Sequence, residues 1–96
     1  MIKHIVLFKF KEENKEDNIK KAKKMLEELI DLVPTLKSME VGVNFSTEER
    51  AMDLSIITSF DDISGLKEYA THPEHLKVVE FIKKVVIESK VSDYSI

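Results

Sequence analysis

A chain of 96 residues, 43% apolar and 34% charged, has the length of one domain and too many large aliphatic side chains to stay disordered. Its net charge of −3 argues against a nucleic-acid binder, whose affinity rests on lysine and arginine at phosphates. The absence of cysteine excludes disulfides and thiolate metal sites.

The first stretch, Ile2-Lys3-His4-Ile5-Val6-Leu7-Phe8-Lys9-Phe10-Lys11, has an apolar core too short and too rich in lysine for a signal peptide or a membrane span. A cytoplasmic protein with no membrane partner is therefore expected. Residues 2–10 read instead as a strand. His4, Val6, Phe8 and Phe10 share one face and Ile5 and Leu7 the other, so the strand is covered on both sides and is central.

Residues 11–15 are polar, and Asn14 followed by Asp17 marks a helix start with an acidic first turn. Ile19, Ala22, Met25, Leu26, Leu29, Ile30 and Val33 then recur at spacings of three and four, the signature of an amphipathic helix. Lysines and glutamates interleave on its wet side, which reads as a solvated face rather than a nucleic-acid patch. Pro34 closes the helix. Met39, Val41, Val43 and Phe45 alternate with polar residues as a half-buried strand, in which Gly42 marks a bulge or a close approach. After a polar connection over 46–51, residues 54–60 complete an antiparallel hairpin.

Asp61 or Asp62 caps a short helix that ends around Ala70, with Gly65 as a weak point inside it. Leu76, Val78, Val79, Phe81, Ile82, Val85 and Val86 form the stripe of a longer helix, and Val91–Ile96 reads as a last strand. The order β-α-β-β-α-β predicts an α+β, ferredoxin-like domain over 1–96, a four-stranded antiparallel sheet with helices on one face. The other face, too apolar to meet water alone, predicts a homodimer in which two sheets close into an α/β barrel.

Chemistry concentrates in Tyr69-Ala70-Thr71-His72-Pro73-Glu74-His75. Pro73 fits the first position of a helix, so His72 is its cap and His75 falls in its first turn. There the positive end of the helix dipole disfavours an imidazolium and keeps His75 neutral, the form a general base needs. Tyr69, just before the corner, folds back toward His75. His4, on the parity of Val6 and Phe8, is expected to point into the barrel interior, where Phe8, Phe10, Met39 and Phe45 compete to fill the space. Gly42 and Gly65 are the only glycines, so no phosphate-binding glycine loop exists, and no serine or threonine sits in a nucleophile elbow. His72, Glu74 and His75 have a spacing too generic to define zinc ligands, so neither a metal nor another cofactor is expected.

The first strand, Pro34 after the first helix, and Tyr69…His72-Pro73-x-His75 together resemble the stress-responsive α/β-barrel (Dabb) family over nearly the whole chain. The resemblance implies a ferredoxin-like protomer and a dimeric barrel. The family includes plant stress-induced proteins and a polyketide cyclase that closes a resorcylic acid ring by a cofactor-free aldol condensation. In that branch the working pair is a tyrosine and the second histidine of His-Pro-x-His, which match Tyr69 and His75, and a first-strand pocket histidine matches His4. The cyclase's first-helix pocket tyrosine falls on Leu26 here, so its polyketide substrate does not carry over.

Two readings follow. One is a small-molecule protein or enzyme with an apolar pocket lined by His4, Phe8, Leu26, Tyr69, His72 and His75, using Tyr69 and His75, with His4 behind them, for acid–base chemistry. The other is a non-catalytic dimer with a packed barrel. A related alternative is the antibiotic-monooxygenase type of dimeric barrel, which oxidises without metal or flavin. A cavity of roughly 300 Å³ or more beside His75 separates the first two.

Overall fold

The computed structural model describes all residues, Met1–Ile96. The chain runs β1 (Ile2–Phe10), α1 (Lys15–Glu28), a 3-10 turn (Leu29–Asp31), β2 (Ser38–Val43), β3 (Leu54–Phe60), α2 (Ile63–Thr71), α3 (Pro73–Val85) and β4 (Val86–Ser95). The strands form one antiparallel sheet in the order β2-β3-β1-β4, with β1 and β3 in the middle. This is the ferredoxin-like α+β fold. No helix is long and apolar enough to cross a membrane.

Register decides what each sheet face carries. Val6 pairs with Ile56 and Val91, and Phe8 with Leu54 and Ser89, so even positions of β1 share a face with even positions of β3. Leu54, Ile56, Thr58 and Phe60 are buried on that face, together with Phe10 and Val41. All three helices cover it. Phe10, Phe60, Leu29 and Leu54 are 1% exposed or less, and burying each contributes about 1.5–3 kcal/mol. Ile5, Leu7 and Ile57 lie on the opposite face among Lys3, Lys9, Ser55 and Ser59, and they stay half-buried without a helix over them.

This division corrects one expectation. His4, Val6, Phe8, Phe10 and Met39 point toward the helices, not into a barrel interior between sheets. The cause is quantitative: the even face concentrates the large apolar side chains, so it captures the amphipathic stripes of α1 and α3. The odd face alternates its aliphatics with lysine and serine.

Local endings differ from the sequence reading for identifiable reasons. Asn14 occupies the N-cap of α1 in the left-handed region, φ 52°, which asparagine tolerates better than most residues, but its side chain makes no capping bond. Asp62, by contrast, accepts the Gly65 N–H at 2.8 Å and caps α2. Thr35 sits beside Gly65 and donates to its carbonyl at 2.9 Å, which ties α2 to the segment before β2. β2 stops at Val43 because the Asn44 side chain turns the backbone, accepting from Ser46 N–H and donating to Ser46 carbonyl. Phe45 is therefore outside the strand and 98% exposed. Gly42 is no bulge; it pairs regularly with Ser55, and nothing lies within 4 Å of where its Cβ would stand. The bulge occurs instead where β4 passes Lys9 and Phe10. Finally, β4 starts at Val86 directly after α3, since Val85-Val86-Ile87 is β-branched throughout. Lys11 N–H locks this junction by donating to the Val85 carbonyl at 2.8 Å.

Candidate functional site

Between sheet and helices, within one subunit, lies a cavity of about 390 Å³. That is above the lower bound of about 300 Å³ for ligand sites. β1 contributes His4, Val6 and Phe8, β3 adds Ile56, and α1 adds Leu26. From α3 come His75, Val78, Val79, Ile82 and Lys83, and from the end of α2 comes Tyr69. Val86, Ser89 and Val91 of β4 complete the wall. Most of the lining is aliphatic or aromatic, and the polar groups gather toward two ends.

The first end is built on the Pro73 corner. His72, extended at φ −64° and ψ 134°, is the only residue between α2 and α3, the conformation a following proline imposes. Its Nδ1 accepts the Glu74 N–H at 3.1 Å, so the ring is engaged as a cap. His72 does not line the cavity, which removes it from the expected ligand contacts. The corner folds Tyr69 back on His75, their ring centres 4.3 Å apart. Phe60 packs on the Tyr69 ring at 5.2 Å from below, and His4 approaches edge-on at 6.5 Å.

Each of these side chains has a defined protonation geometry. His75 Nδ1 lies 3.2 Å from the Ala70 carbonyl, which can only accept, so Nδ1 carries the hydrogen and Nε2 is left with its lone pair. Burial lowers the His75 pKa below the ordinary value, against the hydrogen bond to Ala70, with His4 and His72 adding a smaller push in the same direction as burial. The imidazole is therefore neutral, as the sequence implied, but burial rather than the helix dipole is the main cause. Tyr69 is only 2% exposed, and burial pushes its phenol well above the usual range. Its hydroxyl has no partner in the protein, yet no fully buried side-chain polar atom is left unpaired. The hydroxyl must then open onto the cavity, as a neutral donor.

His4 Nδ1 donates to Asp93 Oδ1, a carboxylate supplied by the neighbouring edge strand where His4 and Asp93 face each other. The sequence reading missed Asp93 because its role appears only once β4 is set in register on β1. It also missed Lys83 and the aliphatic wall of α3, which periodicity alone assigned to a helix stripe. His72, Glu74 and His75 do not assemble with another residue into a group able to hold a metal ion.

A four-stranded antiparallel sheet with its helices on one face places the chain in the ferredoxin-like α+β class. Within it, residues 2–96 match the model of the stress responsive A/B barrel domain, Dabb, and the chain belongs to that family. It is similar to a stress-response A/B barrel domain-containing protein of Arabidopsis thaliana, 27% identical over 98% of this chain and 85% of the relative. It is also similar to olivetolic acid cyclase of Cannabis sativa, 22% identical over 98% of this chain and 95% of the relative. Among solved structures, a dimeric ferredoxin-like protein of unknown function from Bacteroides fragilis superposes with a TM-score of 0.91 at 28% identity, covering 99% of this chain and 95% of the other. A hydroxynitrile lyase from Passiflora edulis shares the fold with a TM-score of 0.85 at 18% identity, covering 97% and 90%. An antibiotic biosynthesis monooxygenase does so at 0.75 and 16% identity, covering 100% and 98%.

Proposed function

We propose that the protein works as a homodimer whose subunits each bind a small, mainly apolar carbonyl compound in the helix–sheet cavity and act on it by cofactor-free acid–base chemistry. The observation that carries this reading is the 4.3 Å approach of Tyr69 to His75 at one end of the cavity. A lone pair on His75 Nε2 takes the proton from the carbon next to the carbonyl, and the C–H electrons pass into an enolate. The Tyr69 hydroxyl donates to the enolate oxygen as charge develops there. The enolate carbon then attacks a second carbonyl, as in an aldol closure, or is reprotonated. His4, held by Asp93, is the second polar group in reach.

Dimerisation is supported by the dimeric neighbours and by Ile5, Leu7 and Ile57 on the helix-free sheet face, with Gly42 leaving that face flat. Olivetolic acid cyclase supports the choice of reaction class, although Leu26 in the wall leaves the ligand's identity to be measured.

The test is a thermal-shift screen of ketones, phenols and polyketide-like acids on wild type and His75→Ala, followed by deuterium exchange at the α-carbon of any ketone that binds. Binding together with His75-dependent exchange is the expected result. No shift with any compound, or the same exchange without His75, removes the proposal. Oxygen uptake with quinols, and no exchange, would instead favour the monooxygenase type of barrel.

A further inference from the structure

The cavity has a second polar end that the acid–base pair does not use. The face that α3 turns to the cavity runs His75, Val78, Val79, Ile82, Lys83, an unbroken i, i+3, i+4 stripe that is apolar except at its two extremities. Of the three lysines on α3, Lys77 is paired with Glu74 at 3.1 Å and Lys84 with Glu80 at 4.0 Å. Lys83 has no carboxylate within pairing distance, and no acidic residue lines the cavity. Ser89, facing Phe8 across the strand pair, adds an exposed hydroxyl to the same rim. An exposed lysine left without a carboxylate partner at the rim of an apolar cavity fits an anion carried by the ligand.

We infer that this cavity takes an oxo acid, its ketone at Tyr69 and His75 and its carboxylate at Lys83. This rests on the reading of the cavity given above and adds the substrate class. The span follows from helix geometry: eight residues from His75 to Lys83 at 1.5 Å each make about 12 Å. β1 agrees, since His4 and Phe8 are four residues apart, or roughly 13 Å along a strand. An extended chain covers about 1.2 Å per bond, from the reach of about 3.6 Å for the three bonds of a residue. A lysine side chain turned inward shortens the gap, so carbonyl and carboxylate stand about eight to ten bonds apart. The volume concurs, because about 390 Å³ holds about thirteen groups the size of a water molecule. A ten-carbon oxo acid has that bulk.

The probes are 9-oxodecanoate, its methyl ester, decanoate and methyl decanoate, titrated calorimetrically into wild type, Lys83→Met, Lys84→Met and Tyr69→Phe. Both acids should bind wild type about three- to tenfold more tightly than their esters, with a preference that shrinks as salt rises. Lys83→Met should abolish that preference and leave the esters unchanged, while Lys84→Met leaves everything unchanged. Tyr69→Phe should remove the advantage of the oxo acid over decanoate and keep the acid-over-ester preference. Equal binding of acid and ester by wild type, or an acid preference that survives in Lys83→Met, overturns the inference while leaving the cavity reading intact. If no probe binds, the inference also fails, and the cavity reading fails with it only when the ketone and phenol screen is empty too.

Discussion

His75 donates its Nδ1–H to the carbonyl of Ala70 at 3.2 Å, a bond that reaches across the Pro73 corner from the first turn of α3 to the last turn of α2. It fixes the tautomer and aims the free nitrogen by exclusion. Burial holds the ring neutral. These two facts make a pH prediction with a definite sign. Because the folded pKa lies below the ordinary 6.5, the acid limb of α-proton exchange should lie below pH 6.5 and vanish in His75→Gln. An acid limb at or above 6.5 would assign the base elsewhere.

The same shift bears on stability. Between the lowered folded value and 6.5 the unfolded chain binds the His75 proton more readily than the folded one, so stability is full above about pH 6.5 and falls as the pH drops through that window. Urea midpoints at pH 7.5 and 5.0 should therefore diverge more for wild type than for His75→Gln. The comparison of slopes cancels the loss of the Ala70 hydrogen bond, which lowers the variant equally at both pH values.

Tyr69→Phe separates function from folding. The ring packs on Phe60 and His75, whereas the hydroxyl holds nothing in the protein. Melting should change little, while exchange should slow by about a hundredfold, the usual cost of removing one donor aimed at a developing oxyanion. A variant that melts much lower and binds normally would give the hydroxyl a structural role instead.

The sequence made the fold legible because its elements carry unmixed periods: the stripe from Ile19 to Val33, the alternation from Met39 to Val43, and the two-sided β1. The corner at His72-Pro73 was equally readable, since proline leaves few conformations to choose from. Pairwise geometry was the hidden part. Whether His4 faces helices or a second sheet depends on which face of the sheet outcompetes the other for the apolar stripes, a comparison across strands whose paired residues His4 and Thr58 are 54 apart. Asp93 needed the register of β4, whose first residue, Val86, continues the apolar stripe of α3 and so hides where the strand starts. Lys83 looked like an ordinary wet-side lysine until the cavity gave its position a meaning.

Filling the cavity should block binding without damaging the core. Val79 is half-buried and lines the space on its helical side. Val79→Phe adds bulk where room exists, so the cost of about 1–3 kcal/mol seen on overpacking a full core should not appear. Thermal stability should hold or rise, and ligand shifts from the screen should disappear. Persistence of those shifts in the variant would place the ligand elsewhere.

Ile57 sits at the centre of the helix-free face, opposite Ile5 on one side and Glu40 on the other. A lysine there, with Glu40 beside it, would bury an ion pair if two sheets meet, and desolvating both charges costs more than the aliphatic contact contributes. On a monomer the same lysine would simply meet water. Ile57→Lys should therefore convert a dimer at micromolar concentration into a monomer in the ultracentrifuge, with a lower melting point. Every residue around the cavity comes from one chain, so the monomer should still bind the ligand, with affinity reduced only as far as the sheet loosens. A wild type that sediments as a monomer would leave Ile5, Leu7 and Ile57 facing solvent and remove the reason for the dimer. A monomeric variant that loses binding altogether would mean that the partner subunit braces β1 and β4 from behind, and through them His4 and Asp93.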